Sequence, residues 1–302
     1  MINGGTDRVA LVGSEHGLEI DPDLPIASAA LSDAGIAAEL VRWDDPAVDW
    51  AAFDLVVIRS CWDYAWRLAE FLGWARAVPR LRNRAEIVGW NIDKVYLRDL
   101  ERAGLPVVPT AWDPSGADDL PAGAEWVVKP SVSAGSRDTA RWDTPAAVLA
   151  HVAELTGAGR TAMVQPYLPS VDELGETAML FIGGAFSHAV RKGPLLVPGE
   201  GVRQDRNSRG DLRRVDPTAA QRAVAQAVFD AVPGLVGVGD APLYARIDLV
   251  QDADGNPIVL ELELTEPSLF LPQAPEAAAT LVRAIQAELA LTRGRSPAAP
   301  PR

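Results

Sequence analysis

In the segment Ile258-Val-Leu-Glu261-Leu-Glu263-Leu264, two acidic residues alternate with aliphatic ones, the pattern of a β-strand with one buried face. Residues 243–250 form a similar segment that carries Asp248, and the turn-forming residues between the two segments predict a β-hairpin. The hairpin would bring Asp248, Glu261 and Glu263 together, where three carboxylates repel one another unless a cation lies among them. Such oxygen ligands favour Mg²⁺ that carries a phosphate; the alternative is a solvated acidic surface.

The composition indicates an acidic α/β protein with ample material for a core. The 302 residues, 48% of them hydrophobic, are enough for two or three subdomains. The net charge of −13 argues against a nucleic acid or an anionic membrane as partner. No apolar run has transmembrane length and no signal-peptide pattern is found, so we expect a cytoplasmic protein. Cys61 is the one cysteine, which excludes an internal disulfide and, with three histidines, a zinc or iron–sulfur centre.

The N-terminal part shows alternating strand and helix patterns, which predict a parallel sheet. Glu15 and Arg59 come just after predicted strands, at the sheet edge where ligands bind, although they could equally cap helices and pair on the surface. A G-x-G-x-x-G pattern is missing, so the sequence offers no nicotinamide or flavin fingerprint. The predicted elements are strands at 8–12, 37–43 and 54–58 and a helix within 23–35.

After residue 90 the patterns predict a mixture of helices and strands. A helix at 91–103 would end at Gly104, and a last helix would cover about 274–292. The other predicted helices are 144–156 and 216–232, and the predicted strands are 107–112, 125–130, 139–142, 161–165 and 176–191.

Lys129 ends a predicted strand and is followed by a loop of small and hydroxyl residues that runs to Arg137. Such a loop can donate backbone N–H groups to phosphates while the lysine supplies positive charge. The loop lacks the P-loop pattern, and the alternative is an ordinary turn beside a surface lysine.

Gln165 ends another predicted strand, and two prolines follow it, which predicts that the strand pairing breaks there. The freed backbone groups could bind an adenine between aliphatic side chains. The nearby carboxylates of Asp172, Glu173 and Glu176 could accept hydrogen bonds from a ribose. The alternative is a connector stiffened by proline.

The order of these features resembles the ATP-grasp superfamily, especially its carboxylate–amine ligases of the glutathione-synthetase and D-alanine-ligase type. The resemblance covers residues 91–290, and the N-terminal part resembles the domain that precedes the ATP-grasp fold in those ligases. It implies an α/β (α+β) fold with a Rossmann-like N-terminal domain. The implied division is 1–92 as N-terminal substrate domain, 93–167 and 168–292 as central and C-terminal ATP-grasp subdomains, and 293–302 as a disordered tail.

The resemblance also implies roles for single residues. Lys94 and Lys129 would bind the nucleotide phosphates, and Arg246 and Arg191 would face the transferred phosphoryl group. Magnesium would be held by Asp248, Glu261 and Glu263, the last standing where these ligases usually have asparagine. The implied phosphate-covering loop includes Ser131, Ser133, Gly135 and Ser136, the adenine contacts are Gln165, Tyr167 and Leu168, and the ribose acid is Asp172 or Glu173.

Five arginines lie between residues 201 and 214 of this acidic protein. We expect either a solvated loop or an arginine lid in which Arg206 contacts the triphosphate, since arginine binds phosphate and carboxylate in bidentate fashion. Ser268, together with Glu15 and Arg59, is a candidate for substrate binding. Aromatic and acidic residues that could line the second-substrate pocket or belong to the core are Trp62, Asp63, Tyr64 and Trp66.

The implied reaction has two steps and uses ATP with two Mg²⁺ ions. A small carboxylic acid becomes an acyl-phosphate, and an amine then displaces phosphate to form a C–N bond. The product is left open between a dipeptide-like amide and a ring, as in a ligase that forms D-cycloserine. The alternatives are an ATP-grasp phosphotransferase without an amine acceptor and a nucleotide-binding protein without turnover. The expected partners are small-molecule substrates, and a homodimer is left open.

Overall fold

The computed structural model describes residues 6–203 and 211–294, which form three sheets with helices packed against them. The predicted mixed α/β class is confirmed. The first elements are β1 Arg8–Gly13, α1 Glu15–Ile20, α2 Asp23–Asp33, β2 Ala37–Arg42, β3 Leu55–Ser60, α3 Leu68–Ala77, β4 Leu81–Arg82 and α4 Ala85–Asn91. The middle elements are α5 Tyr96–Arg102, β5 Ala111–Trp112, β6 Trp126–Pro130, β7 Ala140–Trp142, α6 Pro145–Gly157 and β8 Ala162–Pro166. The last are α7 Ser170–Leu174, β9 Glu176–Ile182, β10 Ala185–Lys192, β11 Leu212–Val215, α8 Ala219–Val236, β12 Tyr244–Gln251, β13 Pro257–Glu263 and α9 Ala277–Gly294.

The N-terminal sheet is parallel, as predicted, with the order β2-β1-β3-β4. Its two central strands are buried along nearly their whole length, because helices cover both faces of a parallel sheet. The elements α1 and β4 were not predicted, since six-residue and two-residue elements leave little periodicity to read. The ten-residue helix α3 was also missed.

The middle sheet is antiparallel, with the order β5-β8-β6-β7, and α6 packs against it. The predicted strand at 107–112 is shorter than expected: only Ala111 and Trp112 pair with β8, and Val107 makes an isolated bridge to Val259. Pro106 and Pro109 explain the difference, because proline has no N–H to donate to a strand ladder.

The C-terminal sheet has the order β11-β10-β9-β12-β13 and lies between two long helices. Helix α8 covers one face and α9 the other, where α9 also contacts α2 and β3 of the N-terminal part. The strand at 176–191 is in fact the β9–β10 hairpin, which turns at Gly183 and Gly184 with φ of 63° and 86°.

The predicted helix at 91–103 is interrupted, because residues 92–95 form a turn between α4 and α5. The Asp93 carboxylate accepts the Val95 N–H at 3.1 Å, a local bond by which aspartate competes with helix formation. Lys94 therefore lies in a turn rather than on a helix. No helix among the described residues is long and apolar enough to cross a membrane; the cytoplasmic location stays a prediction.

Candidate active site

A cavity of about 510 Å³ is lined by residues of the middle and C-terminal sheets and by helix and turn residues of the N-terminal part. Most of the residues singled out in the sequence line its wall. They are Lys94, Lys129, Ser133, Gly135, Ser136, Gln165, Tyr167, Leu168, Arg246, Glu261, Glu263 and Ser268.

The acidic hairpin is present, and it forms the floor of this cavity. Asp248 pairs with Glu261 across β12 and β13, and Arg246 pairs with Glu263. One carboxylate oxygen from each of Asp248, Glu261 and Glu263 lies within 4.8 Å of the others. The structure thus brings together the three acids that the alternation placed on one face, in a geometry that fits a hard cation.

Three cationic side chains surround these acids. Arg246 Nε lies 3.0 Å from Oδ1 of Asp248, and the same guanidinium bonds Glu263. Lys192 Nζ lies 2.6 Å from Oδ2 of Asp248 and 2.6 Å from Oε2 of Glu176. On the opposite side, Lys94 Nζ lies 3.3 Å from Oε1 of Glu261.

The charges leave the acids in different protonation states. Burial opposes ionisation of Asp248, but Arg246 and Lys192 outweigh it and hold its pKa at about 2. The pKa of Glu261 is lowered too, because Lys94 and Lys129 outweigh its burial. Burial raises the pKa of Glu263 to about 7, against the opposing charge of Arg246, and Glu261 and Asp248 add repulsion. The lowered pKa values favour ionised Asp248 and Glu261, whereas burial disfavours the charge of Glu263, and a bound metal would offset that cost.

All three lysines of the chain line this one cavity. Lys129 projects from β6 and is half-buried, and burial lowers the pKa of its ammonium group. Sequence reasoning missed Lys192, for which burial is outweighed by Asp248 and Glu176, so its pKa is raised. The scarcity of lysine among 28 basic residues was the signal that could have found it.

Arg191, which the sequence analysis assigned to the phosphoryl group, does not line the cavity. Its Nη2 donates to the Glu173 carbonyl oxygen at 2.6 Å. Neighbouring residues of a strand face opposite sides, and Lys192 is the one that faces the acids. Arg191 therefore does not reach the acids, whereas its neighbour Lys192 does.

The predicted phosphate loop covers one side of the cavity. Ser133, Ala134, Gly135 and Ser136 line it, and the last two have φ of 66° and 59°. Ser131 does not reach the cavity; its backbone N–H bonds the Thr161 carbonyl at 2.9 Å and anchors the loop.

The loop is attached to other parts of the structure. Lys94 Nζ donates to the Ser133 carbonyl oxygen at 3.1 Å, and the Tyr64 hydroxyl donates to the same oxygen at 3.2 Å. Arg137 lies over the Trp66 ring at 4.9 Å. The loop therefore connects the phosphate lysine with the N-terminal domain.

The Gln165 connector lines the wall next to the loop, but its strand does not break where the prolines predicted. Pro166 still pairs with Trp126, and the Tyr167 N–H bonds the Glu125 carbonyl at 2.8 Å. Proline is tolerated because β5 pairs only with Val164 and Met163, which leaves the other edge of β8 open at Pro166.

The candidate ribose acids lie in different places. Asp172 is outside the cavity, where its Oδ1 accepts the Tyr167 hydroxyl at 2.5 Å and its Oδ2 lies 3.2 Å from Arg141. Glu173 is exposed and does not line the cavity. Glu176, at the start of β9, does line it.

Another part of the wall is formed by residues that follow β13 and by residues of the N-terminal part. Ser268, Glu266, Trp62 and Tyr64 line the cavity there, whereas Glu15 is exposed near Arg42 and does not. Asp63 accepts the Trp43 indole N–H at 2.9 Å and, like Trp66, is not part of the wall.

Arg59 also lies behind this wall and not in it. It is 1% exposed, and its Nη2 donates to the Pro267 carbonyl oxygen at 2.7 Å. The predicted lid residue Arg206 is outside the described residues, as are most of the tail and the centre of the arginine segment. The described Arg203 lines the cavity.

In each comparison with known proteins, DcsG is among the relatives of this chain. Residues 9–86 match the family model described as the N-terminal domain of D-cycloserine synthetase DcsG. The cycloserine biosynthesis protein DcsG of Streptomyces lavendulae is 40% identical over 297 residues, which cover 93% of this chain and 98% of that protein. The crystal structure of D-cycloserine synthetase DcsG superimposes with a TM-score of 0.86 at 37% identity, covering 93% of this chain and 99% of that one. A RimK-domain ATP-grasp protein from Sphaerobacter thermophilus shares the fold, with a TM-score of 0.63 at 18% identity over 92% and 98% of the two chains.

Proposed function

The chain belongs to the D-cycloserine synthetase family of ATP-grasp ligases, which join a carboxylate to an amine with ATP, and we propose that it forms a ring. The observation that carries this proposal is the similarity, over nearly the whole chain, to a protein of cycloserine biosynthesis. D-Cycloserine contains a cyclic amide whose nitrogen is bound to oxygen. Opening that amide gives O-amino-D-serine, so ring closure requires an amino acid with an aminooxy nitrogen.

In the first step, the substrate carboxylate attacks the γ-phosphorus of ATP, the bond to the bridging oxygen breaks, and ADP leaves. Lys94 and Lys129 would neutralise the triphosphate from the side of the phosphate loop. Arg246 would contact the carboxylate and the transferred phosphoryl group from the hairpin. Positioning and charge neutralisation are the main demands of this chemistry, and the cavity supplies cations for both.

In the second step, the aminooxy nitrogen attacks the acyl carbon, phosphate leaves with the electron pair of the broken bond, and the nitrogen loses a proton. A covalent enzyme intermediate is not needed. The phosphate loop and the aromatic side chains of Trp62 and Tyr64 would keep water from the acyl-phosphate, which otherwise hydrolyses.

We propose that Asp248, Glu261 and Glu263 hold two Mg²⁺ ions together with the nucleotide. The residues fit such ions, because one carboxylate oxygen from each converges within 4.8 Å and carboxylate oxygens are hard ligands that suit Mg²⁺. Bound Mg²⁺ would neutralise phosphate charge. The adenine would contact Gln165, Tyr167 and Leu168. Glu176 lines the cavity and Asp172 and Glu173 do not, so we propose that the carboxylate of Glu176 accepts the hydrogen bonds of the ribose.

We also propose the division of the chain into residues 1–92, 93–167 and 168–292. The first part would supply the wall of the acceptor pocket, the second the phosphate loop and the third the metal acids. The three separate sheets support this division.

Incubation with ATP, Mg²⁺ and O-amino-D-serine tests the proposed reaction. We expect ADP, phosphate and D-cycloserine, the last identified by mass spectrometry. ADP and a phosphorylated acid without a C–N product would instead indicate a phosphotransferase. A product that forms only when a second amine such as D-alanine is added would indicate intermolecular ligation.

A further inference from the structure

The segment that follows β13 is held in place by side chains from several distant elements. The Leu264 carbonyl accepts from Asn83 at 2.6 Å and the Thr265 carbonyl from the Tyr244 hydroxyl at 3.0 Å. The next carbonyl groups of the segment also lie within hydrogen-bond distance of side chains. Trp62 donates to the Glu266 carbonyl at 3.4 Å and Arg59 to the Pro267 carbonyl at 2.7 Å, and His188 Nε2 lies 2.8 Å from the Leu269 carbonyl oxygen.

The N–H groups of the segment are held in the same way. Asn91 accepts the Leu264 N–H at 2.7 Å, and the two oxygens of Asp23 accept those of Leu269 and Leu271 at 2.6 and 2.7 Å. Irregular backbone with this many bonds to buried side chains has a fixed conformation. The side chains that it directs into the cavity are therefore held in fixed positions, as recognition of a small substrate requires.

Glu266 and Ser268 are the polar side chains that this segment presents to the cavity. Glu266 is 8% exposed and its carboxylate contacts the Tyr64 hydroxyl. It is not part of the cluster of three acids whose oxygens lie within 4.8 Å of one another. A carboxylate buried at the substrate end, apart from the metal acids, is suited to a positively charged substrate group.

Arg246 brings a positive charge to the wall of the same cavity. It lines the wall, and its guanidinium lies 5.4 Å from the centre of the Phe270 ring, which belongs to the same segment. An amino acid has its carboxylate and ammonium one carbon apart. A wall that offers a cation and an anion to one small ligand thus matches a zwitterion better than a simple acid.

We infer that Glu266 binds the α-ammonium group of the substrate and makes the enzyme select amino acids over carboxylic acids that lack this group. The inference rests on the proposed function, because it assigns a recognition residue to the same reaction. Ser268 lies beside Glu266 and would contact the same part of the substrate.

The test compares two acids that differ only in the ammonium group, O-amino-D-serine and 3-(aminooxy)propanoate. Calorimetry would measure their binding to the complex of the enzyme with Mg²⁺ and AMPPNP, a non-hydrolysable ATP analogue. Wild type should bind the amino acid roughly 10- to 100-fold more tightly, the scale of a buried charge pair, and Glu266→Gln should lose most of this preference. The affinity for AMPPNP should stay unchanged in the variant, which also shows that it folds.

Glu276→Gln is the matched control, since it removes one exposed carboxylate that bonds Arg214 at the surface. It should keep the full preference. Equal binding of the two acids to wild type, or an undiminished preference in Glu266→Gln, would overturn the inference. Failure of the ring-closing reaction is a separate result, because it appears as missing D-cycloserine and not in these affinities.

Discussion

The Nζ of Lys94 lies 3.3 Å from Oε1 of Glu261, so a proposed phosphate ligand and a proposed metal ligand form an ion pair. Both side chains would exchange this partner for the nucleotide: the lysine for a phosphate oxygen and the carboxylate for Mg²⁺. Such an exchange leaves neither group unpaired in a buried place, where an isolated charge is strongly unfavourable.

Lys129→Ala should weaken the binding of AMPPNP by about 1–3 kcal/mol, the scale of a charge-assisted hydrogen bond. Lys94→Ala should act in the same direction, while Lys129→Arg keeps the charge and should retain most of the affinity. Titration calorimetry gives the affinities. Unchanged affinity in both alanine variants would remove the two lysines from the phosphate site.

Glu261→Gln should leave the fold intact and abolish ADP formation, since an amide lacks the charge with which a carboxylate binds Mg²⁺. The rate of ADP release in the presence of the acid substrate is the measurement, and Glu276→Gln should behave as wild type. ADP release at the wild-type rate in Glu261→Gln would show that Glu261 is not a metal ligand.

Amine-reactive reagents should label this protein almost entirely at its cavity and N-terminus, because the three lysines all line that cavity. Lys129 should react first at pH 8, since burial lowers its pKa and leaves more of the neutral, nucleophilic amine. Lys192 should react slowly, because Asp248 and Glu176 raise its pKa.

Mg²⁺ and AMPPNP should protect Lys129 from the reagent, as peptide mass spectrometry would show. Labelling of Lys129 at the same rate with and without nucleotide would contradict its place at the phosphates. Labelling of the N-terminal amine serves as the internal control, since no nucleotide contact is proposed there.

The features that the sequence predicted well depend on periodicity within one segment. The alternation of Glu261 and Glu263 fixes their common face, and a hairpin with a short turn brings Asp248 beside them. The position of Lys192 beside the acids was not predicted, because it depends on the register in which β10 pairs with β9, the strand next to β12. That relationship involves strands of other segments and cannot be obtained from β10 alone.

Tertiary contacts decided the other features that the sequence left open. Asp172 and Glu176 both follow the Gln165 connector, but Arg141 and the Tyr167 hydroxyl hold Asp172 outside the cavity. Arg59 was expected in the substrate pocket and instead supports the Pro267 backbone from behind. The role of Arg59 depends on a residue 208 positions away along the chain, which no local pattern contains.

Removal of the charge of Glu263 should stabilise the protein at alkaline pH in the absence of metal. Burial raises the pKa of this acid to about 7 in the folded protein, whereas glutamate in an unfolded chain has a pKa of about 4.3. The folded state therefore binds the proton more tightly, so the contribution of Glu263 to stability is complete below about pH 4.3. It declines as the pH rises from there to about 7 and stays low above that value.

Glu263→Gln resembles the protonated acid at every pH, so the variant and wild type should unfold alike near pH 4, below the pKa of this acid in both states. At pH 8 the variant should be more stable by about 1–3 kcal/mol, a value reduced for the partial exposure of the side chain. Urea unfolding at the two pH values, without Mg²⁺, gives the free energies. A variant that is less stable than wild type at pH 8 would mean that the ion pair with Arg246 more than compensates the cost of burying the charge of Glu263.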